Sequence, residues 1–291
     1  MRKLLNDPPP RFAFEISEAG IAAARTANPA QAGFEPLEEG VIAVSPVHDN
    51  VLRMDALTAK IQALAPRGEK KRQRATLIVP DYSVRVSVLD FDAFPSDHEQ
   101  QLSLVRFRLK KSLPFDIDSA GISYFAQPDG AGKRVDVVAA VAPLEILGRY
   151  EAPFRSAGFH PGLVTTSALA TLPLLRGKGV SVLAKLSGRI LTLAVVSNHA
   201  LKLLRSIELS GSVPAEIASH LYPTFAYIED QLAAAPERLL VCGHPHLASD
   251  LSDELGADVS FSIEPLRSRY GAPDQFNAGL LGYLESLEDG Q

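Results

Sequence analysis

The chain contains few of the residues that would assign it to a specialised class of protein. Its 291 residues include a single cysteine, Cys242, so a disulfide framework within one chain is excluded. A net charge of −5 argues against a dedicated nucleic-acid binder, because phosphate contacts need concentrated positive charge. No apolar run reaches the roughly 18 residues that a membrane-spanning helix needs, and the charged opening MRKLLNDPPP lacks a signal peptide's apolar segment. We therefore expect a cytoplasmic globular protein.

Two parts of the sequence have the same order of predicted elements. Near the N-terminus, RFAFEIS and GIAAART flank a turn at 18–20; later, SVLAKLS and RILTLAVVS flank a turn at Gly188, and ALKLLRSIEL continues as a third strand. A helix follows each set, at Met54–Leu64 and at 213–232. With 46% hydrophobic residues, the chain can bury one large core or two moderate ones. The duplication predicts two α/β halves with a cleft between them.

The most specific stretch, residues 77–125, has the pattern of strand, capped helix, stop and strand. Apolar and polar residues alternate over 82–88, the period of a half-buried strand. Ser96 and Glu99 have the spacing of a capping box at the start of a helix. Pro114, in the sequence LPF, forbids continuation of that helix, and a second strand pattern follows.

This order of residues resembles the PilM family of type IV pilus assembly proteins, in which such a block forms a small subdomain inserted in an actin-like fold. GVIAVSPVHDNVLRMDALTAKIQALAP upstream, and LLVCGHPHLASDLSDELGADVSFSIEPLRS and FNAGLLGYL downstream, resemble other elements of the family. The resemblance implies an α/β fold of the actin-like, ribonuclease H-like duplicated type. It further implies a first subdomain of residues 1–79 and 162–178, an inserted subdomain of 80–161 and a second domain of 179–291.

In that superfamily the cleft binds ATP, and the two strand turns hold its phosphates and magnesium ion. The family pattern at the first turn is close to Gly-x-Asp-x-Gly-Ser. This chain keeps a carboxylate at Glu15, but Ser17 replaces a glycine and Glu18 would face the phosphates with like charge. Two like charges about 4 Å apart repel by roughly 4 kcal/mol at an effective dielectric near 20, so Glu18 alone disfavours ATP.

The second turn and the adenosine position depart from the family in the same way. Where the family has Asp-x-Gly, this chain has Lys185 and Ser187, and a Gly-Gly pair becomes Gly243-His244, which brings an imidazole towards the adenosine. We therefore expect a degenerate nucleotide site, with no catalytic residue, no metal and no cofactor. One alternative stays open: Lys185 pairs with phosphate in place of the metal, and ATP still binds.

The resemblance also implies a partner. In the PilM family, the groove between the first subdomain and the insert takes the short cytoplasmic N-terminal tail of PilN, a membrane protein. We expect the residues near that groove to be Val84, Arg85, Val86, Arg106 and Lys110. The last two have a second explanation, because basic residues at the end of a helix suit its macrodipole.

Two further segments allow more than one interpretation. Residues 67–74 (RGEKKRQR) are either a solvated loop or a contact with anionic lipid headgroups. Lys133 in DGAGKRV looks like part of a phosphate-binding P-loop, but Arg134 stands where serine or threonine is required. Asp129 and Gly130 are therefore interpreted as a hairpin turn between two strands.

We expect a non-catalytic scaffold, in effect a pseudo-ATPase, in a bacterial type IV pilus or a related secretion machine. It would lie in the cytoplasm, peripheral to the inner membrane, and bind a PilN-like protein and other assembly proteins, with self-association left open. The alternatives are a nucleotide-regulated actin-like protein, an FtsA-like filament former and a type II secretion component similar to GspL. A sugar or acyl kinase is disfavoured, because it needs the aspartate that Lys185 replaces.

Overall fold

The computed structural model describes residues 9–65, 73–127, 134–211 and 213–289. The β-strands in these ranges are β1 Phe12–Ile16, β2 Gly20–Arg25, β3 Asn28–Pro36, β4 Gln73–Val79, β5 Arg85–Phe91, β6 Ala120–Ala126, β7 Val135–Pro143, β8 Phe159–Thr166, β9 Ser181–Ser187, β10 Ile190–Ser197, β11 Ala200–Glu208, β12 Arg238–Cys242 and β13 Ser262–Pro265. The α-helices are α1 Met54–Leu64, α2 His98–Leu109, α3 Leu144–Ser156, α4 Ser167–Thr171, α5 Pro214–Leu232, α6 Leu247–Leu255 and α7 Ala278–Asp289.

Two five-stranded sheets have the same topology. The first has the strand order β3-β2-β1-β4-β8 and the second β11-β10-β9-β12-β13. In each, the first strand is antiparallel to its hairpin partner and parallel to the strand that follows the helix. The registers match residue by residue: Glu15 of β1 lies opposite Ala22, and Lys185 of β9 lies opposite Thr192. The predicted duplication is confirmed, and Glu15 and Lys185 occupy equivalent positions in the two halves.

The first sheet is covered on both faces. Its alternating side chains pack on one side with α1 and α3, where Phe14 meets Phe154, and on the other side with α4 and α7, where Ala13 meets Leu280. The second sheet packs one face against α5 and α6. Its other face carries Leu183 and Leu240 into the core cluster of the first half, so the two halves share buried apolar contacts.

The insert is a three-stranded sheet, with the order β5-β7-β6, that packs against α2. The structure corrects two details of the sequence interpretation. The strand begins at Arg85 and not at Tyr82, because Asp81–Ser83 form a 3₁₀ turn whose Asp81 is buried. The cap of α2 is Asp97 and not Ser96, and its carboxylate accepts a hydrogen bond of 3.0 Å from the backbone N–H of Gln100.

Other boundaries differ from expectation by small steps. α1 has its predicted bounds, whereas α5 begins at Pro214, one residue later than expected, because proline is suited to the first helical position. The third strand of the first sheet, β3, was not predicted, since its sequence NPAQAGFEP contains proline and glycine. Asp129, Gly130 and most of the basic segment 67–74 lie outside the described residues.

The C-terminal helix returns to the first half of the molecule. α7 packs against α4 and β1, so the chain beyond about residue 278 lies with the first sheet, a return that the division into 179–291 does not anticipate. The two helices approach closely because a Cβ at Gly282 would lie 2.2 Å from the carbonyl oxygen of Ala170. Only glycine permits that approach.

Substitution of Gly282 by alanine is therefore expected to destabilise the protein by about 1–3 kcal/mol, because the backbones of α4 and α7 must separate. Gly148→Ala is the matched control: Gly148 lies inside α3 and a Cβ there meets nothing within 4 Å, so a gain of about 0.5–1 kcal/mol is expected from helix propensity. Urea unfolding of the two variants measures both values. Equal effects of the two substitutions would contradict the close packing.

Candidate functional site

A cavity of about 220 Å³ lies between the two halves, where the turn after β1 faces the turn after β9. Glu18 of the first turn approaches Gly188 of the second, since its carboxylate oxygen lies 3.6 Å from where a Cβ of that glycine would be. The residues that line the cavity are Glu15, Ile16, Ser17, Glu18, Ala19, Val44, Pro80, Asp81, Ser167, Lys185, Ser187, Gly188, Ile190, Gln275 and Phe276. Five of the seven predicted nucleotide positions are among them.

A buried ion pair at this cavity joins the second half to the turn that opens the insert. Lys185 Nζ lies 3.1 Å from Asp81 Oδ2, and the two side chains are 2% and 4% exposed. The same carboxylate accepts hydrogen bonds from Thr192 Oγ1, at 3.0 Å, and from the backbone N–H of Ala168, at 2.6 Å. We call Lys185, Asp81 and Thr192 the lysine clasp. It joins β9 and β10 of the second half to the 3₁₀ turn that opens the insert.

The clasp lysine is charged. Burial by itself lowers the pKa of a lysine, but the carboxylates of Asp81 and Glu15 outweigh that effect and the pKa of Lys185 is raised. A full positive charge therefore lies inside the cleft and is balanced by neighbouring carboxylates.

Asp81 is held in place by a second buried network. Ser83 belongs to the same 3₁₀ turn as Asp81. Its Oγ donates a hydrogen bond of 2.8 Å to Asn50 Oδ1, and the hydroxyl of Tyr150 donates to the same oxygen at 2.9 Å. The amide of Asn50 in turn donates to the carbonyl oxygens of Ser45 and His48. The 3₁₀ turn is thus fixed between the loop before α1 and helix α3.

Glu15, the counterpart of Lys185 in the first half, is fully buried and serves the C-terminal helix. Its Oε2 accepts a 2.7 Å hydrogen bond from the backbone N–H of Leu280 in the first turn of α7, and its Oε1 accepts one from the hydroxyl of Ser167. Burial raises the pKa of Glu15 to about 7, against the opposing effect of the Lys185 charge. Because both carboxyl oxygens accept hydrogen bonds from α4 and α7, they are directed at the protein and not at the cavity.

The two ends of the first turn are joined by hydrogen bonds within the turn. Ser17 Oγ accepts from the backbone N–H of Gly20 at 3.1 Å and donates to the carbonyl of Gly20, while the N–H of Ser17 donates to that carbonyl at 2.9 Å. Glu18 accepts from the N–H of Val44 at 2.9 Å. On the other side, Ser187 donates to the carbonyl of Gln275 at 2.9 Å. A phosphate-binding turn directs backbone N–H groups at its ligand, whereas the N–H groups of Ser17 and Gly20 bond within this turn.

The remaining two predicted positions lie elsewhere. Neither Gly243 nor His244 lines the cavity. A Cβ at Gly243 would lie 2.6 Å from Leu247 Cδ2, so this glycine serves the packing of β12 on α6. His244 is partly exposed, with Asp250 as its nearest carboxylate at 4.0 Å. That its imidazole lies at an adenosine position stays a prediction.

Sequence reasoning missed the clasp partner, Asp81. It lies inside an apparent alternation of strand residues, VPDYSVRVSV, and nothing in that pattern distinguishes a buried carboxylate from a solvated one. The one signal is chemical: a lysine predicted inside the apolar strand SVLAKLS needs an acidic partner.

The insert is attached to the second half at a further point. The side-chain amide of Gln127, after β6, donates to the carbonyl of Leu201 at 2.8 Å and accepts from its N–H at 2.7 Å. Lys202 Nζ lies 2.6 Å from Asp136 Oδ2 of β7. Together with the clasp, these contacts connect the insert to both halves across the cleft.

A groove of about 390 Å³ separates the insert from the first sheet. It lies between β6 and β8, each the edge strand of its sheet, with no strand between them in the described structure. Its lining residues are mostly apolar and comprise Val79, Val84, Gly121, Ile122, Ser123, Ala140, Ala142, Leu147, Leu163, Val164, Thr165, Thr166 and Leu169. We call it the strand groove.

Of the five residues expected near such a groove, the structure places only Val84 in its lining. Arg85 and Val86 line the seam between β5 and β11 on the opposite side of the insert. Arg106 pairs with Asp118 at 3.4 Å, and Lys110, at the end of α2, is exposed. The placement of these four at the groove is corrected, because β5 turns its outer edge to β11 and α2 lies on the far face of the sheet. Whether any of the five contacts a partner stays a prediction.

Comparison with solved structures identifies the architecture. The chain matches a structure described as the PilM-PilN type IV pilus biogenesis complex with a TM-score of 0.76 and 18% identity, over 97% of this chain and 99% of that one. A protein of Bacteroides thetaiotaomicron described as having an actin-like ATPase fold matches with a TM-score of 0.53 and 12% identity, over 97% and 98% of the two chains.

The chain has an actin-like fold. It also matches the cytoplasmic domain of EpsL, an inner-membrane component of the type II secretion system of Vibrio cholerae, with a TM-score of 0.51 and 13% identity, over 95% and 94% of the two chains. No protein-family model and no curated protein matches the sequence. The expected resemblance to PilM-like proteins is thus confirmed at the level of the fold, and the cavity between the halves is the cleft of that fold.

Removal of the lysine from the clasp is expected to lower the stability of the folded protein strongly. Lys185→Met leaves Asp81 buried without its counter-charge, so the free energy of unfolding should fall by about 3–5 kcal/mol. Lys202→Met removes a partly exposed pair between the insert and the second half and should cost less than about 1 kcal/mol. Denaturant unfolding of both variants gives the comparison. Similar losses in the two would mean that the clasp contributes no more than a surface pair.

Glu15 predicts a pH dependence with a definite sign. Its pKa is about 7 in the folded protein and near 4.5 when unfolded, so between these values only the unfolded chain loses the proton. The stability supplied by the neutral form is present below pH 4.5 and is lost as pH rises to 7, by about 3 kcal/mol at about 1.4 kcal/mol per pKa unit.

Glu15→Gln keeps the shape and removes the titration. The unfolding free energy of the variant minus that of the wild type should therefore rise from pH 4.5 to pH 7 and then level off. Urea denaturation of both proteins at a series of pH values measures this difference. A difference that stays constant over the range would show that Glu15 does not titrate there.

Proposed function

We propose that the protein is a non-catalytic scaffold, a pseudo-ATPase, of a type IV pilus or a related secretion machine. The observation that carries the proposal is the lysine clasp. In an actin-like cleft, the turn that contains Lys185 and Ser187 would face phosphate and metal, but here Lys185 Nζ is directed at Asp81 and both side chains are buried. A cation of the protein thus takes the position at which the resemblance expects the aspartate of the second turn, and this supports the proposal.

The carboxylates support the same conclusion. Magnesium at a nucleotide requires carboxylate oxygens that face the ligand. Glu15 directs its oxygens to Leu280 and Ser167, and Asp81 directs its oxygens to Lys185, Thr192 and Ala168. Glu18, at the mouth of the cavity, adds a negative charge that opposes phosphate. The clasp and the Gln127–Leu201 contact also connect the insert to the halves, which suits a scaffold of fixed shape better than a cleft that opens and closes with nucleotide.

The partner that we propose is the cytoplasmic tail of a PilN-like protein, bound in the strand groove. β6 and β8 each present an outer edge there, and an extended peptide can pair with such an edge through its main chain. Leu163, 45% exposed, and Ile122 and Leu147 give apolar walls for the peptide's side chains. The structural match to a complex of PilM with PilN supports this choice of partner.

The proposed location follows from the partner. A membrane protein's tail would hold this chain in the cytoplasm against the inner membrane, and residues 67–74 are a further candidate contact with lipid headgroups. Among the described residues, no helix is long and apolar enough to cross a membrane. The match to the EpsL cytoplasmic domain keeps a type II secretion machine as the alternative assembly, with the same scaffold role.

The strand groove predicts a selective loss of tail binding. Leu163→Glu places a charge in the apolar wall and should weaken binding of a synthetic peptide, the cytoplasmic tail of the PilN-like protein from the same organism, by at least tenfold. Leu52→Glu is the matched control, because Leu52 is 55% exposed and does not line the groove. Its effect should be less than about twofold.

Fluorescence anisotropy with the labelled peptide measures both affinities. A tail that does not bind the wild-type protein, or that binds the two variants equally, would refute the strand groove as the site. Circular dichroism of the variants confirms that each is folded before binding is compared.

A further inference from the structure

A second cavity, of about 790 Å³, lies where the insert and the two halves meet. Each part of the molecule contributes to its wall: Phe125 from β6 of the insert, Leu169 and Leu172 from the α4 region of the first half, and Val196 and Leu201 from β10 and β11 of the second half. We call it the junction cavity. Nothing in the scaffold role described so far uses it.

The junction cavity continues the strand groove. Leu169 lines both, and β6 forms a wall of both, with Gly121 to Ser123 along the strand groove and Phe125 with Gln127 along the junction cavity. β6 and β8 lead towards the junction in the same direction, since β8 passes from Leu163 into α4. We call the strand groove and the junction cavity together the trough. At about 3.3 Å per residue, the distance along β6 from residue 121 to residue 127 is about 20 Å, so an extended peptide of about six residues spans the trough.

The two parts of the trough have different chemistry. Along the strand groove, the edge strands offer backbone groups to an incoming main chain. At the junction, the N–H and carbonyl of Leu201 in β11 are both taken by the side-chain amide of Gln127, so β11 offers no free backbone group to a peptide at that residue. Most of the wall is apolar, and Phe125, which also lines the cavity, has 62% of its surface exposed. Three polar side chains, Arg176, His199 and Arg269, line it as well. The apolar part of the wall suits a large apolar side chain.

We propose that the junction cavity binds a large apolar side chain of the same partner tail, beyond the segment held in the strand groove. The proposal rests on the tail-binding function proposed above and adds a second, chemically distinct site to it. Since the walls come from both halves and the insert, the tail contacts all three at once. The binding of the tail therefore depends on the arrangement of the halves that the lysine clasp maintains.

The test uses the full-length protein and two synthetic peptides from the tail of the cognate PilN-like protein. One peptide is the whole tail, and the other is the shortest truncation that still binds and loses affinity with Leu163→Glu. Phe125→Ser should weaken the whole tail at least fivefold and leave the short peptide within about twofold. Phe107→Ser is the matched control, because Phe107 is 74% exposed on α2 of the same insert and lines neither cavity. It should change neither affinity.

A double-mutant cycle identifies the contact. Each large apolar residue of the tail outside the short peptide is replaced by alanine and measured against wild-type protein and Phe125→Ser. One of these alanine replacements should lower the affinity of the tail at least fivefold for the wild-type protein and less than twofold for Phe125→Ser. If the short peptide binds but every cycle is additive, the junction proposal is overturned and the strand groove stands. If no tail peptide binds, or Leu163→Glu has no effect, the proposed function fails and the junction proposal fails with it.

Discussion

The ion pair between Lys185 and Asp81 is the constraint on which the arrangement of this molecule depends. Removing two charges from water costs several kcal/mol per ion, and the pair is tolerated because Thr192 and the N–H of Ala168 complete the hydrogen bonding of the carboxylate. Lys185 comes from the second half, Ala168 from the first, and Asp81 from the turn that opens the insert. One buried carboxylate therefore orients three parts of the fold, and the shared core around Leu183 and Leu240 closes over it.

The duplication of the fold explains how such a pair arises. Glu15 and Lys185 are equivalent by register, and each projects from the end of its strand into the cleft. In an ATP-binding cleft of this architecture, both positions would carry acidic groups that organise a metal. With one of them a lysine, the cleft supplies its own counter-charge, and Glu15 is left to accept hydrogen bonds from α7 and α4. The same pair of positions thus supplies hydrogen bonds and an ion pair within the protein.

The sequence allowed the overall architecture to be predicted, because repeated strand patterns and a long amphipathic helix are local features. The bounds of α1 and the stop near Pro114 depend on neighbouring residues alone. The strand β3 escaped notice because its proline and glycine conceal the pattern, and the cap at Asp97 was missed because Ser96 and Glu99 offered a competing motif. Asp81 and the lining of the strand groove depend on residues far apart in the chain, and no local pattern identifies them. The sequence also did not show that Gly243 and His244 lie outside the lining of the cavity between the halves, because that too depends on distant residues.

A fixed cleft with an insert attached to both halves suits a protein whose task is to hold others in position. The most direct test of this account is isothermal titration of the purified protein with ATP and magnesium. We expect no heat of binding at millimolar nucleotide, because Lys185 is already paired and Glu18 repels the phosphates. Saturable binding in the micromolar range, with one nucleotide per chain, would contradict it and would mean that the clasp opens to make Lys185 a phosphate ligand.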